Sequence, residues 1–428
     1  MFIKHILPNA VRLVLVPMKD SQSVTALVLV KAGSRYEKPE TGGISHFIEH
    51  MMFKGTKRFP TTLDLTRILD GVGADFNAYT AKDHTGYYIK LSATKIELAL
   101  DLLSEMFLNS TFDQAALDRE RGVIIEEIKM YEDTPNMHIY DVFESAIYGK
   151  TTHLGRNIAG TKETVSSLSR ADMMNYIASR YQGDQMVIVL AGKVDENTIP
   201  IVEKYFSPIS GNLEKLSTVP KFDFETFSVS QTKPSFQIET RKTEQVQLGF
   251  GFPGLSLLDP RLGSLRVLSV ILGGSMSSRL FINVREKMGF CYFIRSEPES
   301  YQDAGSFGIF AGLDQKNVAR AVGAISKELK DIKEHGVQAE ELSRAKEYIE
   351  GKMTLRLENT SSVASFFGDQ ELLENRMSTP SERLAEIRAV TLEDVRAIAQ
   401  EIFVRSRTNI ALVGKKVSKA DLMGGLDF

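Results

Sequence analysis

Only one cysteine, Cys291, occurs among 428 residues. No intrachain disulfide can form, and nothing in the cysteine usage points to an oxidising compartment. Long apolar runs are also missing: no stretch approaches the roughly 18 residues of a membrane-spanning helix. Basic charge is not in excess, the formal net charge being −3, so nucleic acid is not an expected partner. The opening MFIKHILPNAVRLVLVPMKD lacks the basic and then apolar regions and the cleavage site of a secretory leader. Its alternating VRLVLV predicts a strand reached through a turn at Pro8-Asn9. These absences together give the expectation of a soluble, cytoplasmic protein with neither membrane nor nucleic-acid partner. Histidine is scarce too, with seven in the chain, so any clustering of them needs a reason.

What is present is an ordinary globular composition, 43% hydrophobic and 25% charged, on a chain too long for one core. The organising feature is an internal repeat. VTALVLVKAGSRYEKPETGGISHFIEHMM parallels VQLGFGFPGLSLLDPRLGSLRVLSVILGG, with Gly33 and Pro39 each 221 residues before Gly254 and Pro260. A later block repeats as well, with Asp172 and Gly192 each 222 residues before Asp394 and Gly414. Two separated blocks that agree on the offset to one residue indicate a duplication. The reading is therefore a domain over residues 1–213, a linker over 214–235 and a homologous domain over 236–428. Within each half, strands precede helices, then a hairpin, further helices and a final strand. That order predicts an α+β fold of two homologous sandwiches, each with helices packed on one face of a mostly antiparallel sheet.

The stretch GGISHFIEHMMFKG places His46, Glu49 and His50 in apolar company. Thr41 is the expected N-cap and Gly55 the expected residue after the C-terminus. On a helix, positions i, i+3 and i+4 share a face, so the three side chains converge. Two imidazoles one turn apart are a ready bidentate metal site. A bare HxxEH is equally a pair of histidines satisfied by hydrogen bonds, so a third ligand must decide. The repeat supplies a control, because at the 221 offset the trio falls on Val267, Val270 and Ile271. Plain apolar residues fill the same place in the second half, so the fold does not require the polar trio.

The segment DQAALDRERGVIIEEIKMYED (113–133) offers the third ligand. At 100° per residue, Leu117, Val123, Ile124 and Ile128 make an apolar stripe, and Glu127 projects between Val123 and Ile124. Glu126 lies about 100° away toward solvent and is the next candidate. Glu120 shares nearly the line of Glu127, two turns earlier, as a supporting partner. A carboxylate placed in an apolar stripe is costly unless it is paired or binds metal. Two histidines and Glu127 would leave a position open for water, with Glu49 as the general base.

HxxEH is the inverzincin signature, and the chain resembles the pitrilysin family of zinc metallopeptidases along nearly its whole length. In that family a glutamate well downstream of the second histidine is the third ligand, and Glu127 stands 77 residues after His50. The supporting glutamate matches Glu120. NAYTAKDHTGYY resembles the family's substrate-edge strand and assigns Asn77, Ala78 and Thr80 to substrate binding. GRNIAGT (155–161) also looks like family sequence. GGSMSSRLFINVREKMGFCYFIRS resembles the signature whose arginine and tyrosine reach the active site, here Arg285 and Tyr292, seven residues apart. The resemblance implies one zinc ion per chain, extended peptide substrates, and a homodimer whose chamber shares its active sites between chains. It also leaves open a non-catalytic subunit of the same fold, or a presequence-processing peptidase that needs a partner subunit.

Overall fold

The computed structural model describes every residue except Met1, 217–221 and Asn375. Part of the 214–235 linker therefore lies outside the described residues. In the first compact unit, β1 (Ile3–Ile6), β2 (Arg12–Pro17), β3 (Ser23–Val30), β4 (Asp75–Thr80), β5 (Thr85–Ser92) and β6 (Met186–Gly192) form one sheet. Its order is β1-β2-β6-β3-β5-β4. In the second, β7 (Ser235–Thr240), β8 (Val246–Gly254), β9 (Cys291–Ser300), β10 (Gly305–Leu313) and β11 (Asn409–Gly414) take the order β7-β11-β8-β10-β9. Leaving β1 aside, the two orders are the same. Each sheet has one parallel pair, β2 with β6 and β7 with β11, and is otherwise antiparallel.

The duplication extends to single residues. Ser169 with Asp172 and Thr391 with Asp394 close matching capping boxes. Gly192 and Gly414, which end the equivalent strands β6 and β11, have φ of 136° and 146°.

The helices used below are α1 (Ile44–Met51), α2 (Thr62–Gly71), α3 (Ile96–Asn109), α4 (Gln114–Glu132) and α5 (Pro135–Tyr148). Strand β3 shows why one covering layer is not enough. Val24, Ala26, Val28 and Val30 point into a core shared with α1 and α3, while Thr25, Leu27 and Leu29 point the other way and are also buried. A strand that is apolar on both faces must be covered on both. The helix Thr360–Asp369 supplies the second cover. Its Thr360 hydroxyl lies 2.8 Å from that of Thr25, and Gly368 sits so close to Leu29 that a β-carbon there would come within 2.6 Å of it.

The second sheet solves the same problem with α5. Val246, Leu248, Phe250 and Phe252 of β8 face one core, and Phe143 of α5 lies against Gly249 and Gly251 on the opposite face. Each sheet thus carries helices on both faces, rather than on one as expected. In each case the second cover comes from the other half of the sequence. For that reason the compact units are not the contiguous halves 1–213 and 236–428. The first comprises residues 1–128, 157–224 and 354–379, and the second 129–156, 225–353 and 380–428. No helix among the described residues is long and apolar enough to cross a membrane.

Candidate metal centre

α1 buries Phe47, Ile48 and Met51 on one side and turns His46, Glu49 and His50 to the other. Its start is set by Glu37, not by Thr41. The Glu37 carboxylate accepts hydrogen bonds from the backbone N–H groups of Gly43 and Ser45, both at 2.8 Å. A carboxylate at a helix N-terminus both satisfies free amides and complements the helix dipole. Gly43 precedes the helix with φ 91°, and a β-carbon there would come within 2.5 Å of the Ala159 carbonyl oxygen. Residues of the GRNIAGT motif are thus pressed backbone to backbone against the entrance of α1. At the far end, Met52 closes the helix and Gly55 belongs to the loop beyond it.

Arg121 ties α4 to the segment 165–168 and reaches toward α1. Its guanidinium donates to the carbonyl oxygens of Val165, Ser166 and Leu168 and lies 5.7 Å from the Phe47 ring centroid. The buried stripe of α4 is Ala116, Leu117, Glu120, Ile124 and Ile128. Val123, expected in that stripe, is 51% exposed. Glu127 therefore stands at the edge of the buried face rather than in the middle of the stripe, and Glu120 lies within it. The buried face is centred on Leu117, Ile124 and Ile128, and a count of apolar residues does not tell these from the neighbouring Val123.

Three ligand atoms converge: those of His46, His50 and Glu127 all lie within 4.8 Å of one another. Glu127 Oε2 is 3.8 Å from His46 Nε2 and 3.4 Å from His50 Nε2. A tetrahedral ion with ligands at about 2.1 Å has ligand–ligand edges of about 3.4 Å. The donor set and its spacing fit such an ion. Glu126, the alternative carboxylate, is not among these residues.

Behind the ligands, His50 Nδ1 lies 2.8 Å from Glu120 Oε1, and Lys54 Nζ lies 2.8 Å from Glu120 Oε2. Donation from Nδ1–H to a carboxylate leaves the Nε2 lone pair free to face a metal. Lys54, just past the end of α1, went unnoticed in the sequence, although its spacing of four residues from His50 was the available signal.

The electrostatics favour a cation here. Burial, and then the neighbouring His50, push His46 down to about 4, so its neutral ligand form dominates. Burial opposes charge on His50 also, but its hydrogen bonds with Glu120 and Glu127 prevail and raise it to about 9. Glu127 is held below the usual carboxylate range by its hydrogen bond with His50. Glu49 is shifted the other way. Burial raises it, against the hydrogen bond from Thr80. That bond, Thr80 Oγ1 to Glu49 Oε2 at 2.6 Å, gives Thr80 a partner in the protein where the sequence suggested a substrate contact.

Asn77 and Ala78 lie on β4, the edge strand of the first sheet. They pair with Tyr88 and Tyr87 of β5 on one side, and the other side of β4 has no strand partner among the described residues. Arg285 and Tyr292 are neighbours within the second unit. The Arg285 guanidinium lies 4.3 Å from the Phe281 ring centroid and 5.7 Å from that of Tyr292. Tyr292, on the edge strand β9, is 78% exposed.

Fold and site together have the arrangement of the HxxEH class, a histidine pair on one helix with a distant carboxylate. The comparisons make this specific. Residues 12–162 match the model of the insulinase family, peptidase family M16, and residues 167–349 match that of the peptidase M16 inactive domain. An uncharacterized zinc protease of Bacillus subtilis, YmxG, is 38% identical over 92% of this chain and 94% of its own length. Another from Streptomyces coelicolor is 34% identical over 95% of this chain and 88% of its own. The chain belongs to peptidase family M16. Among solved structures, a protease from Helicobacter pylori superposes with a TM-score of 0.89 at 22% identity, covering 97% of this chain and 99% of that one. A chain of Complex III2 from Candida albicans superposes at 0.82 with 16% identity, covering 99% of each. The scaffold alone therefore does not distinguish a peptidase from a protein in that assembly. The side chains must do so.

Proposed function

We propose that the chain is a zinc endopeptidase that cuts extended or unfolded peptides. The observation that carries this reading is the convergence of His46, His50 and Glu127 beside the separate carboxylate of Glu49, in a chain of this family. His46, His50 and Glu127 would hold one zinc ion, which when bound supplies a Lewis acid that polarises the scissile carbonyl. Glu49 lies in the same helical turn but is engaged by Thr80. It takes a proton from the attacking water and returns it to the leaving amine. Its raised affinity for a proton, caused by burial, suits a group that must accept one.

The free edge of β4 at Asn77 and Ala78 is suited to pair with a substrate backbone, which recognises extended chain with little regard for side chains. Arg285 and Tyr292 supply donors for the charge that develops on the carbonyl oxygen. They would reach it from the partner chain of a homodimer that encloses the substrate, so stably folded proteins should be spared.

The direct test is Glu49→Gln. Zinc content, measured by elemental analysis, should match the parent, while cleavage of an unstructured peptide should fall by about 10²–10⁴-fold. Loss of zinc from this variant would make Glu49 a ligand and overturn the assignment of roles.

A further inference from the structure

Glu49 has one hydrogen-bonding side-chain partner among the described residues, the Thr80 hydroxyl. We propose that Thr80 is the positioning residue of the general base, and not a substrate contact. This rests on the reading of Glu49 as that base.

Three features of the site support it. The distance of 2.6 Å is that of a short, charge-assisted O–H···O⁻ bond. A hydroxyl has one proton, and a proton given to Glu49 cannot also be given to a substrate carbonyl. The donor is also rigid. Threonine is β-branched and restricted at χ1, and the backbone of Thr80 is fixed by its pairing with Thr85 at the end of the β4–β5 hairpin. Glutamate, by contrast, has three rotatable side-chain bonds, and Glu49, half-buried, has no second anchor of this kind among the described residues. The bond takes up Oε2 and leaves Oε1 to meet the water. It also links the strand that pairs with substrate to the group that transfers the proton, so one element sets the height of both.

The experiment compares Thr80→Val, which keeps shape and loses the donor, with Thr80→Ser, which keeps the donor. Both are made in the full-length, zinc-loaded protein. For Thr80→Val, kcat should fall by about 10- to 100-fold, the scale of a misplaced catalytic group, with KM and zinc content unchanged. Thr80→Ser should recover most of kcat. A rise in KM at unchanged kcat would assign Thr80 to substrate and overturn the proposal. A second measurement does not depend on turnover. In a crystal structure of zinc-loaded Thr80→Val the Glu49 carboxylate should leave its parental position, and in Thr80→Ser it should stay. An unmoved carboxylate in Thr80→Val overturns the proposal whatever the kinetics. Failure of the general-base reading would show separately, as undiminished cleavage by Glu49→Gln.

Discussion

The two units place equivalent helices at equivalent points and fill them differently. In the first, α1 presents His46, Glu49 and His50. In the second, the helix Leu262–Ser269 and the turn after it present Val267 and Ile271, both buried, with Val270 packed beside them. The supporting helices differ in the same sense. When α4 and the helix Ala339–Arg356 are aligned on their buried leucines, Leu117 and Leu342, Glu120 corresponds to Ala345 and Glu127 to Lys352. Ala345 is buried, and Lys352 puts a cation where the first unit has the Glu127 carboxylate. The scaffold is therefore stable with an apolar filling at this point, so the fold does not account for the polar one. Desolvation explains why the polar version needs so many partners: each buried charge must be paired or must bind a metal.

The comparison can be broken most severely by making the first unit resemble the second. The triple variant His46→Val, Glu49→Val, His50→Ile should bind no zinc at this site and cut no peptide. Its circular dichroism should remain native, and its thermal midpoint should stay close to that of the metal-free parent. An unfolded triple variant would mean that the polar trio is needed by the fold after all.

A smaller effect tests the division of labour between the units. A Glu49→Gln chain keeps Arg285 and Tyr292, and an Arg285→Ala, Tyr292→Phe chain keeps the metal centre. Unfolded and refolded together in equal amounts, about half of the dimers of a symmetric protein should be mixed. If sites are shared between chains, each mixed dimer holds one intact site, and about a quarter of the parental activity should return. Hybrid dimers that demonstrably form yet stay inactive would remove the shared-site arrangement.

The smallest effect concerns Lys54, which closes the chain of contacts from Glu120 to His50. Lys54→Met leaves the ligands in place and removes one anchor of the carboxylate that orients His50. Zinc affinity, measured by competition with a chelator, should weaken about tenfold, and Lys54→Arg should restore it. An unchanged affinity would show that His50 alone suffices to fix Glu120.

Much of the candidate site was legible because it is local or strictly spaced. His46, Glu49 and His50 lie within a single helical turn, and helical periodicity puts them on one face whatever the rest of the chain does. The repeat was legible for a similar reason, since an offset survives without any knowledge of contacts. The place of Val123 and Glu127 relative to the buried face was not. Which residues of α4 face the core is decided by what packs against the helix, and Val123, counted in the stripe, is exposed. The N-cap was missed because Glu37 reaches α1 from outside the helix, where capping patterns of adjacent residues do not look.

By itself, the sequence determined the duplication, the strand-and-helix order of each half, the histidine pair and the glutamates that could join it. Tertiary structure alone decided which helix covers the second face of each sheet, so that residues 129–156 and 354–379 each pack with the unit of the opposite half. It also decided that Thr80 holds Glu49, that Lys54 holds Glu120, and that Glu37 starts α1. The reason is physical. Periodicity and propensity act over a few residues along the chain and fix which way a side chain points from its own element. The partner that it meets there belongs to another element, whose position is set by the packing of the whole core.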